Sequence, residues 1–469
     1  MKSWGTALSK IRPGEFKFKV LVDTIIHEIE TGKLVDGQRL PPQRKVADDL
    51  NIGIQTITNV YKELKRQGLI RGETGRGSFV TRRATDNVNY DILDQQQQTM
   101  LDFSNACLIR NAEQEKAWRD TCLQLSQEQF QPWIHTFRPI AGLEPHRQAA
   151  TQWLKEKTGL DVETKSLLIT NGCAEAIDLA LSSLAGPNDL VLCERLTDHG
   201  VIGMSQVLGF KLKGLEIDEH GIIPDHFEEL CDDQKVTALV CTPNLNNPTG
   251  AIMPEHRRRQ IAEIAARYNV YIIEDDVYGA LLSQQQRPRP IATWAPDLTF
   301  YCTSFTKTVL TGLRIGYLVM PPKLALRTES ILRVTSWMAS PILAEIASRW
   351  VMDGTANHLI EGQKKLISKR QALVRKYFAK YLSGGSPQAL SCWINIPEHW
   401  QPDHLTAELR KRQVAVSSSS PFSADKTAIT HAIRVCIGAD CSDAQFEQGL
   451  LTIYDLFNQY PQIQPADVV

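Results

Sequence analysis

A lysine lies between hydroxyl residues in an otherwise apolar stretch, SFTKTVLTGLR, at residues 304–314. Lys307 can act there as an amine nucleophile towards a carbonyl group. Ser304, Thr306 and Arg314 can donate hydrogen bonds to a phosphate. The alternative is that Lys307 only extends its ammonium group to solvent along an apolar stem. The residues upstream decide between these two interpretations.

A second motif, TNGCAEA at residues 170–176, has the pattern of a strand, a glycine turn and the start of a helix. The backbone N–H groups of Gly172, Cys173 and Ala174 would point outwards from that helix start. Such groups suit a phosphate, because the first N–H groups of a helix have no partner within the helix. The motif alone is a weak signal, since many such turns bind nothing.

Two further motifs carry polar groups suited to an aromatic ring: NNPTG at residues 246–250 and EDDVY at residues 274–278. Asn247 can hydrogen-bond a phenolic oxygen. Asp275 ends a buried strand, where a carboxylate is costly unless a cation or hydrogen bonds compensate it. It can face a pyridinium nitrogen, with Tyr278 three residues further on. Together with Lys307 these groups predict pyridoxal 5′-phosphate held as a Schiff base.

From residue 165 onwards, short apolar runs alternate with amphipathic stretches such as PEHRRRQIAEIAARY at residues 254–268. This alternation predicts an α/β fold with a mainly parallel sheet. Binding sites in such sheets lie beyond the carboxyl ends of the strands. All four polar motifs are placed at predicted strand ends, which favours the chemical interpretation of Lys307.

The first eighty residues have a different pattern. Apolar residues at helical spacing predict three helices, at residues 17–31, in QRKVADDLN (43–51) and in IGIQTITNVYKELKRQGLI (52–70). The segment IRGETGRGSFV (70–80) then predicts two short strands around a glycine-rich turn. Three helices and a hairpin make a winged helix-turn-helix. Residues 1–85 contain 16 basic and 9 acidic residues, against 36 and 44 in the remainder, so we expect a polyanionic partner for this head.

The stretch from Gly32 to Ile70 resembles the GntR family of bacterial transcription regulators. In such a fold the third helix enters the major groove of double-stranded DNA. The resemblance predicts DNA contacts from the first turns of that helix, from the start of the second helix and from the tip of the wing: Gln55, Thr56, Thr58, Asn59, Arg44 and Arg76. Thr56 can instead serve only to start the helix. Gly53 and Ile54 replace the polar residues common at the recognition-helix start, so no base preference follows.

Residues 100 to 460 resemble the fold-type I aminotransferases, with matches at TNGCAEA, NNPTG, EDDVYG, SFTKTVLTGLRIGYL and AIRVCIG. The resemblance implies a large domain that binds pyridoxal 5′-phosphate and a smaller C-terminal α+β domain. Lys307 is then the Schiff-base lysine, and Asp275 pairs with the pyridine nitrogen. Asn247 and Tyr278 bond the ring oxygen. Arg434 binds a substrate carboxylate.

The complete chain is similar to the MocR subfamily, in which a GntR-type head precedes an aminotransferase-like body. We expect a winged helix-turn-helix at 12–81, a polar linker at 82–99 and a cofactor-binding and effector-sensing domain at 100–463. The subfamily implies a homodimer that binds operator DNA and senses an amine, an amino acid or the cofactor. Ten scattered cysteines and the absence of an apolar leader favour a cytoplasmic location without a disulfide framework or a metal site.

Two positions depart from a competent aminotransferase. Asp198 falls where the family places the aromatic residue that stacks on the cofactor ring, and His199 is one position away. Phe137 replaces a tyrosine that reaches the partner's phosphate. These changes favour a DNA-binding sensor over the alternative, a working aminotransferase with a residual head. A third alternative is a structural body that binds no cofactor.

Overall fold

A computed structural model describes residues 4–5, 8, 17–30, 33–34, 37–66, 69–73, 77–80, 100–129, 131–135, 137–425 and 430–460. The chain divides into two compact units, Met1–Gln96 and Gln97–Val469, referred to below as the head and the body. The predicted linker at 82–99 lies outside the described residues. No helix in the described part of the chain is long and apolar enough to cross a membrane.

The head contains the predicted three helices and hairpin. Its elements are α1 (Lys17–Glu30), α2 (Gln43–Leu50), α3 (Ile54–Arg66), β1 (Ile70–Glu73) and β2 (Gly77–Val80). The two strands pair antiparallel, with Ile70 opposite Val80. Apolar residues that recur at helical spacing on α1 and α3 meet in one core, which includes Leu21, Ile25, Ile57, Val60 and Leu64. This fold confirms the winged helix-turn-helix.

Trp4 adds to the head core from outside the range 12–81 that the sequence pattern indicates. Its side chain is only 1% exposed, and it packs in the same cluster as the three helices. Its indole Nε1 donates a 2.7 Å hydrogen bond to Glu28 Oε2, which satisfies a buried carboxylate of α1. A single tryptophan carries no periodicity, so the sequence pattern gave no indication of this contact.

The strands of the body, in chain order, are β3 (Leu101–Asp102), β4 (Leu167–Thr170), β5 (Leu190–Glu194), β6 (Lys211–Leu215), β7 (Ile217–Asp218), β8 (Gly221–Ile222), β9 (Ala238–Cys241), β10 (Tyr271–Asp275), β11 (Thr299–Ser304), β12 (Gly316–Val319), β13 (Ser391–Asn395), β14 (Val414–Ala415), β15 (Ser417–Ser418) and β16 (Ala432–Cys436).

The α-helices of the body are α4 (Ala112–Gln127), α5 (Glu144–Thr158), α6 (Cys173–Leu184), α7 (His199–Leu208), α8 (Pro224–Asp233), α9 (Glu255–Tyr268), α10 (Ala325–Thr335), α11 (Pro341–Met352), α12 (Thr355–Phe378), α13 (Pro402–Lys411) and α14 (Asp443–Phe457). Short 3₁₀ helices occupy Pro132–His135, Thr164–Ser166, Gly279–Leu281, Ile291–Thr293, Thr311–Leu313, Pro322–Leu324, Ala379–Tyr381 and Ser420–Phe422.

A seven-stranded sheet in the order β4-β12-β11-β10-β9-β5-β6 forms the centre of the body. Strand β12 is antiparallel to both of its neighbours, and the other six strands are mutually parallel. Side chains alternate between the two faces: Phe300 and Cys302 of β11 join one buried cluster, and Tyr301 joins another. Both faces are therefore buried, as the continuous apolar runs predict.

A smaller three-stranded antiparallel sheet, in the order β13-β16-β15, lies in the C-terminal part of the body. Helices α13 and α14 contribute Leu405, Phe446 and Leu450 to the cluster that also contains Ile433 and Val435 of β16. This arrangement confirms the predicted α+β part. It matters for the site because Arg434 lies between those two residues on β16, with its side chain towards the opposite face.

The position of Trp4 yields a test of the head core. We expect Trp4→Ala to destabilise the head by about 3–5 kcal/mol, because it removes a large buried side chain and leaves Glu28 without its donor. Amide hydrogen exchange of the full chain should show faster exchange in α1 and α3. Leu326→Ala, at a site that is 81% exposed in the body, is the control. Unchanged protection of α1 in the Trp4 variant would contradict the assignment.

Candidate cofactor and effector site

The polar motifs meet at one edge of the large sheet. Strands β4, β5, β9, β10 and β11 are parallel, so their carboxyl ends lie on the same side. Strand β12 begins at that edge, since Gly316 pairs with both Ser304 and Thr170. The segments that follow these strands therefore converge there, as the sequence predicts.

Lys307 follows β11 in a turn and is half-buried. Its Nζ donates a hydrogen bond to the backbone oxygen of Ala106 at 2.5 Å. The amine is thus held by the body and does not extend freely into solvent. The acceptor is a backbone carbonyl, which leaves no signature in a sequence.

Gly172 forms the beginning of helix α6. Its φ of 91° is in the left-handed region, and a Cβ added to it would lie 3.0 Å from Nη2 of Arg314. The same Nη2 donates to the backbone oxygen of Asn171 at 3.3 Å. Gly172 offers no side-chain cap to the first N–H groups of α6, at Cys173 and beyond. The free N–H groups and the guanidinium together suit a phosphate dianion.

Two hydroxyl residues lie at and just after the end of β11, at the same edge of the sheet as this helix start. Ser304 and Thr306 are buried, and Ser304 Oγ accepts a hydrogen bond from the backbone N–H of Thr306 at 3.3 Å. Thr306 Oγ1 is buried without a hydrogen-bond partner among the described residues. A buried hydroxyl without a partner is unfavourable, so an acceptor in this space would stabilise it.

Asp275 is a buried carboxylate without a cationic partner among the described residues. Its Oδ1 accepts hydrogen bonds from Cys173 Sγ at 3.2 Å and from the backbone N–H of Val277 at 3.1 Å. Burial raises its pKa to about 7; the Cys173 hydrogen bond opposes this rise and the charge of Asp198 adds to it. A protonated ring nitrogen would supply the missing positive charge, so the residue fits a pyridinium ring.

Asn247 links two charged residues in a hydrogen-bonded chain. Its Nδ2 donates to Asp198 Oδ2 at 2.7 Å, and its Oδ1 accepts from Arg434 Nη1 at 2.8 Å. Tyr278 is buried nearby. Burial raises its pKa well above the ordinary value, with contributions from the charges of Asp198 and Asp275. Asn247, Tyr278 and Asp275 thus lie together, as the resemblance predicts.

Arg434 has three of its five N–H donors engaged within the body. Its Nη2 donates to the backbone oxygen of Ser104 at 2.5 Å and to Ser417 Oγ at 3.3 Å. Its guanidinium carbon lies 4.4 Å from the centre of the Phe422 ring, a cation–π contact. Nε is buried without a hydrogen-bond partner in the described structure, and Nη1 makes only one of its two possible hydrogen bonds there. Arg434 therefore retains two N–H groups that could bind a carboxylate.

The structure gives the contacts of the two positions that depart from the aminotransferase pattern, Asp198 and Phe137, and of the neighbouring His199. Asp198 caps α7 by accepting from the backbone N–H of Gly200 at 2.8 Å, so no ring occupies its place. The His199 ring meets Phe422 edge-on, with centroids 6.2 Å apart. Phe137 is 71% exposed and packs against Trp337 with ring centroids 6.1 Å apart.

Three of the predicted DNA contacts are exposed on the head, and two, Thr56 and Thr58, are half-buried. Arg44, Gln55 and Asn59 are exposed, and Gln55 Nε2 donates to Asn59 Oδ1 at 3.3 Å. Thr58 Oγ1 donates to Gln43 Oε1 at 3.0 Å, which joins α3 to the start of α2. Thr56 is half-buried, and its backbone N–H donates to Gly53 O at 2.9 Å. Arg76 lies outside the described residues.

Comparison with known proteins agrees with this arrangement. Residues 102–453 match the family described as aminotransferase class I and II, and residues 19–80 match the bacterial regulatory proteins of the gntR family. An archaeal alanine:glyoxylate aminotransferase structure shares the fold with a TM-score of 0.72 at 22% identity, covering 84% of this chain and 97% of that one. A kynurenine aminotransferase of Pyrococcus horikoshii, solved with PMP, gives 0.71 at 19% identity, covering 81% and 95%.

Among proteins of known sequence, the HTH-type transcriptional regulator YdeF of Bacillus subtilis is 26% identical over 97% of both chains. The probable rhizopine catabolism regulatory protein MocR of Rhizobium meliloti is 23% identical, over 77% of this chain and 78% of that protein. The chain belongs to the aminotransferase class I and II family and carries a gntR-type head. This confirms the MocR-type architecture predicted from the motifs.

Some site residues escaped the sequence analysis. The thiol of Cys173 bonds Asp275, although the motif only indicates the backbone of Cys173 as a phosphate ligand. Phe422 supports Arg434 from a distant 3₁₀ helix. A cysteine directly after the glycine of a strand–turn–helix motif is a usable signal, since a thiol there is buried beside the ends of neighbouring strands. No sequence signal predicts Phe422.

The buried carboxylate yields a test by pH. In cofactor-free protein, the free energy of unfolding should fall as pH rises from about 4 to about 7, because Asp275 ionises in the unfolded chain while it stays protonated in the folded one. Asp275→Asn should remove this loss. Its free energy of unfolding should exceed that of wild type by about 2–4 kcal/mol at pH 8 and should equal it at pH 4. Urea unfolding at both pH values measures it, with the exposed Asp403→Asn as control. An equal effect at both pH values would contradict the account.

Proposed function

We propose that this protein is a DNA-binding transcription regulator whose body binds pyridoxal 5′-phosphate and senses a small amine, an amino acid or the cofactor itself. One observation carries the proposal: a single sheet edge gathers the Lys307 amine, the uncompensated Asp275 carboxylate and the open start of α6. These three features match the aldehyde, the ring nitrogen and the phosphate of one cofactor. The head supplies the DNA-binding part.

The residues present fit the cofactor group by group. The phosphate would be held by the N–H groups of Gly172, Cys173 and Ala174, with Arg314 and the hydroxyls of Ser304 and Thr306 beside them. When bound, the cofactor supplies a carbonyl that condenses with amines and a ring that withdraws electrons. Lys307 provides the amine that holds the cofactor. Asp275 keeps the ring nitrogen protonated, and Asn247 and Tyr278 bond the ring oxygen.

The effector would bind in front of Lys307, between Arg434 and Asp198. An amino acid would place its carboxylate at Arg434, and an amine would not need that contact. We further propose that the protein acts as a homodimer. Two heads would then bind two half-sites in the operator, because each head covers one.

A working aminotransferase is the second candidate, and the joint presence of Lys307 and Asp275 at one edge favours it. The absence of an aromatic ring at Asp198 and of a hydroxyl at Phe137 counts against efficient turnover. Loss of one charge-assisted hydrogen bond costs about 1.5–3 kcal/mol of cofactor binding. Single-turnover absorbance changes with a series of amino acids separate the candidates, since only the aminotransferase would release a keto acid.

The cofactor proposal is tested by reduction. Purified protein should show a visible absorbance band. Borohydride should fix the cofactor to Lys307, because it reduces a carbon–nitrogen double bond at that residue to a stable single bond. Lys307→Ala should lose the band. Peptide mapping after reduction identifies the lysine. Lys323→Ala, which changes an exposed lysine of the body, is the control. An adduct on another lysine would overturn the assignment.

The DNA-binding proposal is tested on the head. Arg44→Ala should weaken binding to all DNA sequences and reduce the salt dependence, because it removes a phosphate contact. Gln55→Ala should instead change the preference among operator variants by about 1–3 kcal/mol at one base pair. Fluorescence anisotropy with the upstream DNA of the protein's own gene measures both. Equal effects of the two substitutions on all sequences would contradict base recognition by α3.

A further inference from the structure

Asp198 brings a carboxylate into the cofactor site where the family has an aromatic ring. It accepts two hydrogen bonds, from Gly200 N and Asn247 Nδ2, and His199 Nδ1 lies 3.8 Å from its Oδ2. A carboxylate has about four lone-pair sites, so it retains capacity for another donor. Its charge acts on both Asp275 and Tyr278, which locates it on the side of the site that the ring would occupy.

Asp198 is the more exposed of the two charged residues that Asn247 links. The Asp198 side chain is 35% exposed, whereas Arg434 is 5% exposed, covered on one face by Phe422 and engaged at both terminal nitrogens. Asn247 bridges Arg434 to Asp198, so part of the donor capacity of Arg434 is used within the body. A carboxylate bound at the remaining N–H groups of Arg434 would lie near Asp198, whose charge would repel it. An ammonium group would meet a partner without displacing anything.

We infer that Asp198 makes the effector pocket selective for a small primary amine that carries a second cationic group and no carboxylate. The inference rests on the proposed function, since the pocket is the one in front of Lys307. One amine would replace the Lys307 amine at the cofactor's carbonyl carbon and so release that lysine side chain, and the second would bond the Asp198 carboxylate. The role predicted for Arg434 as a carboxylate ligand is the opposing hypothesis.

Three probes with four carbon atoms each decide between them: 1,4-diaminobutane, 4-aminobutanoate and butylamine end in a cation, an anion and a methyl group. Each is titrated into the cofactor-bound wild-type protein and into Asp198→Asn while absorbance is followed. Asparagine keeps the size and an oxygen that can cap α7, while it removes the charge and the second acceptor oxygen, to which Asn247 Nδ2 donates. Asp403→Asn is the matched control, because Asp403 is an exposed acid in the first turn of α13.

The wild-type protein should bind the diamine about tenfold more tightly than butylamine, and 4-aminobutanoate most weakly, as a charge-assisted hydrogen bond predicts. Asp198→Asn should lose the preference for the diamine and bind 4-aminobutanoate more tightly than wild type does. Tighter binding of 4-aminobutanoate by wild type, an unchanged order in Asp198→Asn, or no binding of any probe at millimolar concentration would overturn the inference.

The two proposals fail in different ways. Protein without a borohydride-reducible cofactor on Lys307 would overturn the proposed function and this inference together. Protein with the cofactor in place but without a preference for the diamine would overturn the inference alone. The absorbance band measured before the titration separates these outcomes.

Discussion

The proposed cofactor site depends on one buried carboxylate. Asp275 ends the central strand β10 without a cationic partner in the described structure, and burial raises its pKa to about 7. Burying a carboxylate without a cationic partner is unfavourable, and a bound cationic group would offset that cost. The hydrogen bonds from Cys173 and Val277 hold one carboxylate oxygen in place, which leaves the other for a ligand. The proposed pyridinium contact follows from this imbalance.

The sheet explains how distant residues meet the carboxylate. Six parallel strands end on the same side, so segments separated by more than a hundred residues converge at one edge. The one antiparallel strand, β12, starts there and brings Arg314 beside Gly172. The head forms its own core.

Much of this could be predicted from the sequence because the motifs have fixed periods and fixed spacing. Apolar runs indicated the strands β4, β10 and β11, and the polar motifs followed their ends. Contacts that depend on tertiary packing could not be predicted: the acceptor of Lys307 is the Ala106 carbonyl, and Arg434 rests on Phe422. Trp4 escaped for the same reason, since one residue has no periodicity. The role proposed for Asp198 depends on its hydrogen bond with Asn247, which no sequence pattern indicates.

We propose that chemistry at Lys307 controls DNA binding by the head. The most direct test is operator affinity, measured by anisotropy for wild type and Lys307→Ala, each with and without the cofactor and a small amine. The account predicts that both proteins bind the operator, and that the cofactor and amine change the affinity of wild type only. Identical operator affinity of wild type under all conditions, or an equal response of Lys307→Ala, would contradict it.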